Sequence, residues 1–76
     1  MKALFDSNIL MDYLNGVDAA RVEIERHPVR LISAVTWMEV LAGVRNEEEE
    51  DVVEMFLRDF KVVDITRRIA RDAVTL

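Results

Sequence analysis

Cysteine is absent from the 76-residue chain, and proline and glycine are scarce, with one and two copies respectively. Without cysteine the chain can form neither a disulfide framework nor a thiolate metal site, and this composition fits a cytoplasmic location. No apolar run reaches the roughly 18 residues of a membrane span, and the N-terminus lacks a signal-peptide pattern. The composition is otherwise globular, 51% hydrophobic, and the length suits a single domain over residues 1–76.

Positive charge is also in short supply, because 15 acidic residues outnumber 10 lysines and arginines. The resulting net charge of −5 argues against capture of nucleic acid by charge alone. The charges are unevenly spread, with an acidic run from Glu47 to Asp51 and a basic cluster of Arg67, Arg68 and Arg71. Both are typical of solvated helix surfaces, the acidic run being suited to a helix start.

Strand and helix signals alternate along the chain, a pattern that predicts a parallel sheet covered by helices. Strands are predicted at 2–5, 29–32 and 62–63. Helices are predicted at 9–15, from 18 to the residues before Pro28, and after Ser33, Asn46 and Asp64. Gly16 is the expected stop of the first helix. The predicted fold class is therefore α/β, with three strands present.

Apolar spacing predicts the buried sides of the last two helices. The fourth helix is expected to bury one stripe, formed by Val52, Phe56 and Phe60. The fifth is expected to start at Asp64 and to bury another, formed by Ile65, Ile69, Ala73 and Leu76. Since this stripe reaches the C-terminus without a stop signal, we expect the chain to be cut inside or just after a helix.

The stretch Leu4-Phe5-Asp6-Ser7-Asn8 places a carboxylate at the carboxyl end of the first strand, where open α/β sheets bind their ligands. Ser7 and Asn8 suit the turn into the next helix, because their short polar side chains can cap free N–H groups. Asp6 fits two interpretations: half of a metal site, or a turn acid that caps the first helix. The residues alone leave both open.

Glu39 is the second candidate, expected in the first turn of the helix after the second strand. If the first two strands are neighbours, their carboxyl ends share one rim and Glu39 can face Asp6. Two carboxylates without a fixed cation favour a hard, oxygen-preferring ion such as Mg²⁺ or Mn²⁺. Thr36 and Glu39 also have capping-box spacing, which explains Glu39 without any metal.

Three segments together resemble the PIN-domain ribonucleases, and among them the VapC-like toxins of toxin–antitoxin pairs. The segments are Phe5-Asp6-Ser7-Asn8-Ile9-Leu10, Asp12-Tyr13-Leu14-Asn15-Gly16, and Ile32-Ser33 through Thr36 to Glu39-Val40-Leu41-Ala42-Gly43. The resemblance covers essentially the whole chain in element order. It implies a PIN-like α/β fold and an acidic, Mg²⁺-dependent (or Mn²⁺-dependent) site that cuts RNA.

The same resemblance implies roles for individual residues and partners. Asp6 and Glu39 match the catalytic, metal-binding acids of the family, and Ser7, Asn8 and Thr36 match polar positions that support them. The implied partners are RNA with exposed bases, a cognate antitoxin protein and a second copy of the chain. No membrane partner is implied.

The chain also departs from the family, whose members carry further acids in a later helix and after a fourth strand. Asp64 and Asp72 do not match those positions, and the fourth and fifth strands, which flank the first, are missing from the prediction. We therefore expect the N-terminal part of a VapC-like toxin, with half of the acidic site and little ribonuclease activity alone. An unpaired first strand would favour association.

Two other functions are open at this point. The first is a non-catalytic PIN module that dimerises or binds an antitoxin. The second is a phosphotransfer domain of the haloacid-dehalogenase or receiver type, which also uses a strand-end Asp. Asn8 stands where a haloacid dehalogenase needs its second Asp, and no acidic pair precedes Lys2, so this class is disfavoured.

Overall fold

The computed structural model describes residues 2–76, which form one parallel sheet and five helices. The strands are β1 (Lys2–Leu4), β2 (Arg30–Ser33), β3 (Lys61–Val63) and β4 (Ala73–Thr75). The helices are α1 (Ser7–Leu14), α2 (Asp18–Glu25), α3 (Ala34–Ala42), α4 (Glu47–Leu57) and α5 (Arg67–Asp72). The strands lie in the order β3-β2-β1-β4, and every neighbouring pair is parallel. The predicted α/β class with a parallel, helix-covered sheet is confirmed.

The sheet has four strands in the described residues, whereas three were predicted. The expected fifth helix through Leu76 ends at Asp72, and Ala73–Thr75 pair with the whole of β1 instead. Leu76 N–H donates to the Leu4 carbonyl at 2.7 Å, and Asp6 N–H donates to the Leu76 carbonyl at 2.6 Å. Strand pairing prevails over the helical spacing because it satisfies the backbone groups of β1.

The outer edge of β1, expected to be bare, is therefore covered by β4. The expected start of the last helix also shifts. Thr66, not Asp64, caps α5, and its Oγ1 accepts from Ile69 N–H at 3.2 Å.

Helix boundaries follow local capping chemistry. Asp6, Ser33 and Asn46 each have extended backbone and accept a hydrogen bond from an N–H group in the helix that follows. Gly16 ends α1 as predicted, with a φ of +79° that a residue with a Cβ rarely adopts.

A chain of aromatic contacts runs through the core. Tyr13 stacks on Phe56 with ring centroids 4.4 Å apart, and Phe56 meets Phe60 edge-on at 5.0 Å. Phe60 meets Phe5 at 5.7 Å, and Phe5 meets His27 at 5.8 Å. The rings therefore connect α1 and α4 with the end of β1 and the segment before β2.

The buried side of α4 differs from the predicted stripe. Val53 and Leu57 are buried and Phe56 is half-buried, whereas Val52 is 60% exposed. Phe60 is buried as expected, although it lies after the helix end. The prediction chose Val52 because it lies four residues before Phe56. Within residues 2–76, every helix is too short or too polar to cross a membrane.

Candidate functional site

Asp6 and the start of α3 lie side by side at the carboxyl edge of the sheet. β1 and β2 pair in parallel with Leu4 opposite Leu31, so two residues further on Asp6 is level with Ser33. Phe5 N–H donates to the Leu31 carbonyl at 2.9 Å, which continues the pairing to the residue before Asp6. Because neighbouring strands are about 4.8 Å apart, α1 and α3 start next to each other. The two helices also pack together.

Asp6 is the N-cap of α1. One carboxylate oxygen, Oδ1, accepts from Ile9 N–H at 3.1 Å, and the side chain is exposed. This hydrogen bond confirms that Asp6 caps α1. It engages Oδ1 and not Oδ2. Ser7 and Asn8, which were expected to lie in the turn and to cap, form the first turn of α1 instead. The carboxylate reaches the N–H groups first, so the helix begins two residues earlier than predicted.

Glu39 lies in the second turn of α3, not in the first, and its side chain is exposed. The capping-box explanation for Glu39 is wrong, because the N-cap of α3 is Ser33. Its Oγ accepts from Thr36 N–H at 3.0 Å and donates to Thr36 Oγ1 at 3.1 Å. Thr36 is therefore the residue at the third helical position, and Glu39 is not required for the cap.

Thr36 and Glu39 are three residues apart and so share one side of α3. Thr36 is 8% exposed, the one buried polar side chain among the described residues. Its contact with Ser33 satisfies its hydroxyl and fixes the first turn of the helix that carries Glu39. The sequence analysis placed the helix after Ser33 but gave Ser33 no role at the candidate site. The signal was a serine directly after a predicted strand.

The position of Asp6 is held by Phe5, the residue before it. The Phe5 side chain is 1% exposed and packs edge-on against Phe60 and His27. The buried ring fixes the backbone before Asp6, and the N-cap bond holds one carboxylate oxygen against Ile9 N–H. The sheet edge therefore presents an oriented acid.

Asp64 follows β3 and reaches the same edge of the sheet, on the far side of β2. Ser33 is opposite Val63, so Asp6 and Asp64 are separated by two strand spacings, about 10 Å. Asp72 ends α5 and forms an exposed ion pair with Arg68 at 3.9 Å. No group of three or more His, Cys, Asp or Glu side chains in the described part of the chain is arranged to hold a metal ion. Asp6 lies at this edge as the N-cap of α1, and Glu39 lies in the second turn of α3.

The acidic run forms the first turns of α4, as predicted. Asn46 Oδ1 accepts from Glu49 N–H at 2.9 Å, and Glu49 Oε2 accepts from Arg45 N–H at 2.9 Å. The Arg45 guanidinium also donates to Glu49 Oε1 at 3.1 Å. The backbone N–H of Arg45, followed by its guanidinium, lowers the pKa of Glu49. The Glu49 carboxylate is therefore engaged by Arg45 at the start of α4.

Comparison with known proteins gives two matches. A family model described as PIN domain matches residues 3–76. One chain of a toxin–antitoxin complex from Klebsiella pneumoniae is similar in structure, with a TM-score of 0.75 and 38% sequence identity. The match covers 92% of this chain and 59% of that one, so this chain spans little more than half the length of its structural relative. No curated protein sequence matches.

Proposed function

Because the chain belongs to the PIN-domain family, we propose that it serves as a metal-dependent endoribonuclease toxin of a toxin–antitoxin pair. In this proposal Asp6 and Glu39 hold the metal ion, Mg²⁺ or Mn²⁺. The observation that carries it is the parallel pairing that sets Asp6 level with the start of α3. The resemblance to VapC-like toxins, inferred from three segments, agrees with the Klebsiella structure.

The donor set fits a hard divalent cation. Both candidate ligands are exposed carboxylates, and oxygen ligands suit Mg²⁺ and Mn²⁺. The Ile9 N–H orients the Asp6 carboxylate through Oδ1 and leaves Oδ2 for the ion. The Ser33–Thr36 contact orients α3, which carries Glu39. When bound, the ion would activate water and offset charge on the phosphate during phosphodiester hydrolysis.

Ser7, Asn8 and Thr36 have supporting roles in this proposal. Ser7 and Asn8 follow Asp6 in the first turn of α1, where backbone N–H groups have no acceptor within the helix. The substrate class is RNA with unpaired bases, which are accessible in single strands and loops. Such a substrate fits action in the cytoplasm.

A site with only two carboxylates is expected to bind a divalent metal ion weakly. Hydrated Mg²⁺ releases its waters reluctantly, and two acids leave water positioning to the solvent. We therefore expect residues 1–76 alone to bind the metal loosely and to cleave RNA little or not at all. The alternative is a non-catalytic PIN module that binds an antitoxin or a second copy, and the same weakness of the site favours it.

Activity is tested with a labelled RNA pool, Mg²⁺ or Mn²⁺, and a chelator control. The 76-residue chain is expected to leave the RNA intact. A longer chain that adds the later acids of PIN domains is expected to cut it. Asp6→Asn should abolish that cutting with the fold retained, because Asn is also a good N-cap. Asp12→Asn, which changes another exposed acid of α1, is the matched control and should keep activity.

Two outcomes would contradict the proposal in different ways. Metal- and Asp6-dependent cleavage by residues 1–76 would contradict the half-site and make Asp64 the next acid to test. An extended chain that cuts equally well with Asp6→Asn would remove the proposed catalytic role altogether.

The proposal also includes self-association of the chain, through a different surface from the one that the sequence suggested. The bare strand edge that was expected to drive it is covered by β4. An apolar stripe on α3 replaces it, because Val35 and Met38 are 59% and 55% exposed and lie three residues apart. Sedimentation over a range of concentrations should show a dimer that Met38→Asp converts to monomer. A monomer at all concentrations would exclude this interface.

A further inference from the structure

An open groove of about 600 Å³ lies between α5 and the face of the sheet that turns away from the core. Successive residues of a strand point to opposite faces of a sheet. Ala3 and Phe5 point into the core that α1 to α4 cover. Lys2 and its counterparts in the neighbouring strands, Leu31 and Lys61, therefore point to the other face. We name this feature the α5 groove.

The α5 groove combines an apolar lining with positive charge. Its apolar lining residues are Val29, Leu31, Val63 and Ile69. Three exposed cations also line it, namely Lys2, Lys61 and Arg68. Arg68 pairs with Asp72 at 3.9 Å, whereas Lys2 and Lys61 have no ion-pair partner among residues 2–76. Three cations and one acid leave the groove positive, although the net charge of the chain is −5.

One side of α4 has the opposite character. Glu48, Asp51, Val52 and Met55 follow one another at spacings of three and four residues, so they share a side of the helix. All four are exposed, and the two apolar side chains are 60% and 66% accessible to solvent. Neither acid has an ion-pair partner in the part of the chain that the structure describes. We name these four residues the α4 outer face.

The two surfaces lie on opposite sides of the sheet. Val53 and Leu57 of α4 belong to the core on the helix-covered side, whereas the α5 groove lies on the other side. One surface is apolar and positive, and the other is apolar and negative, so they are complementary in charge. Because they are far from each other within one chain, they can meet only between two copies.

We propose that the α5 groove of one copy docks the α4 outer face of a second copy, so that copies associate head to tail. Val52 and Met55 enter the apolar groove, and the two carboxylates of the α4 outer face stand against Lys2 and Lys61. This inference does not rest on the proposed function. Since the two surfaces differ, each added copy presents a new α4 outer face, and association continues beyond a dimer unless a ring closes.

RNA fits the α5 groove less well than a second copy does. Its phosphates would suit the cations, but no aromatic side chain is present among the described residues that line the groove. Proteins that hold unpaired bases usually stack them on such side chains. RNA would also leave the exposed apolar pair of the α4 outer face uncovered.

Sedimentation velocity over a range of concentrations tests the proposal. The chain carries Met38→Asp, so that the apolar stripe of α3 makes no contribution. At low salt the average mass should rise with concentration and pass that of a dimer. At about 1 M salt, where charges are screened beyond about 3 Å, it should fall. A monomer at every concentration would overturn the proposal, and so would a mass that levels off at a dimer.

Charge reversals on α4 locate one side of the contact. Glu48→Lys combined with Asp51→Lys should weaken association at least about tenfold. Glu50→Lys combined with Glu54→Lys is the matched control, because it makes the same charge change on another side of the helix and should have little effect. Equal losses in the two double variants would indicate diffuse charge attraction and would overturn the proposal.

Single variants locate the other side of the contact and its apolar centre. Lys61→Glu should weaken association, whereas Arg67→Glu, outside the groove, should change it little. Met55→Asp should also weaken it, whereas Val22→Asp, at a similarly exposed position of α2, should not. Equal effects within either pair would contradict the assigned surfaces.

A mixing experiment separates head-to-tail docking from loss of folding. Glu48→Lys with Asp51→Lys gives a chain in which both surfaces are positive, and Lys2→Glu with Lys61→Glu gives one in which both are negative. Each variant alone should stay monomeric with the circular dichroism of the parent, and an equimolar mixture should associate. Absence of association in the mixture would overturn the proposal. A labelled RNA that binds the parent but not the Lys2→Glu, Lys61→Glu variant would assign the groove to nucleic acid and overturn it too.

Discussion

Two regions of this chain carry the acids considered as ligands, and different levels of structure position them. In α4, Glu47 to Asp51 are neighbours in sequence, and their position at a helix start follows from the local chain. At the sheet edge, Asp6 caps α1 and Glu39 lies on α3, and the parallel pairing of β1 and β2 sets the starts of these two helices side by side. The larger group carries more charge, yet its best-held member is engaged by Arg45. High charge density therefore does not by itself identify a free acid, because a neighbouring arginine can hold it.

The largest expected effect comes from removing the core support of the sheet-edge acids. Phe5→Ala deletes a ring that is 1% exposed and should cost about 3–5 kcal/mol of unfolding free energy. Urea unfolding followed by circular dichroism measures it. Val52→Ala, at an exposed position of the acidic helix, should change stability by less than about 0.5 kcal/mol. Similar losses in both variants would show that the two regions do not differ in their dependence on the core.

The two helix caps should contribute unequally to the stability of the fold. Ser33→Ala removes the N-cap of α3 and leaves the buried Thr36 hydroxyl without its partner, so about 2 kcal/mol should be lost. Asn46→Ala removes the exposed N-cap of α4 and should cost about 1 kcal/mol. Thermal unfolding of the two variants against the parent chain checks the order. A larger loss with Asn46→Ala would contradict the role given to the Ser33–Thr36 contact.

The sequence predicts the parts of both regions that depend on local chemistry. The Asn46 cap, the acidic start of α4 and the Gly16 stop are all confirmed, because each depends on residues within one turn. The errors come from tertiary context. Val52 fits a helical stripe but points outward, and Ala73–Thr75 continue a helical pattern but pair with β1.

At the candidate site, too, the sequence predicts the local features and leaves the tertiary ones open. Asp6 was assigned from its place after a strand, and the structure adds its N-cap bond. The prediction that α3 starts after Ser33 is confirmed, whereas the capping-box spacing of Thr36 and Glu39 pointed to the wrong N-cap. Whether Asp6 and Glu39 share a cation stays a prediction.

The smallest expected effect concerns pH. Arg45 lowers the pKa of Glu49 below its ordinary value of 4.5, so this interaction stabilises the fold above that pH. The stability is lost as the pH falls through the lowered pKa of the folded state. Glu49→Gln should therefore unfold at slightly lower urea concentration at pH 7, and the difference from the parent should shrink below pH 4.5. If the variant and the parent differed in stability by the same amount at every pH, the effect of Glu49→Gln would come from packing and not from the charge of Glu49.

The central claim, that the sheet-edge pair binds a divalent ion in preference to the acidic helix, is tested most directly by Mn²⁺ titration of the ¹⁵N-labelled chain. Mn²⁺ broadens the amide signals nearest to it. The account predicts that Ser7, Asn8 and the α3 residues around Glu39 broaden at the lowest Mn²⁺ concentrations, and that Asp6→Asn and Glu39→Gln each suppress this. Earliest broadening at Glu47–Asp51, unchanged by either substitution, would contradict it.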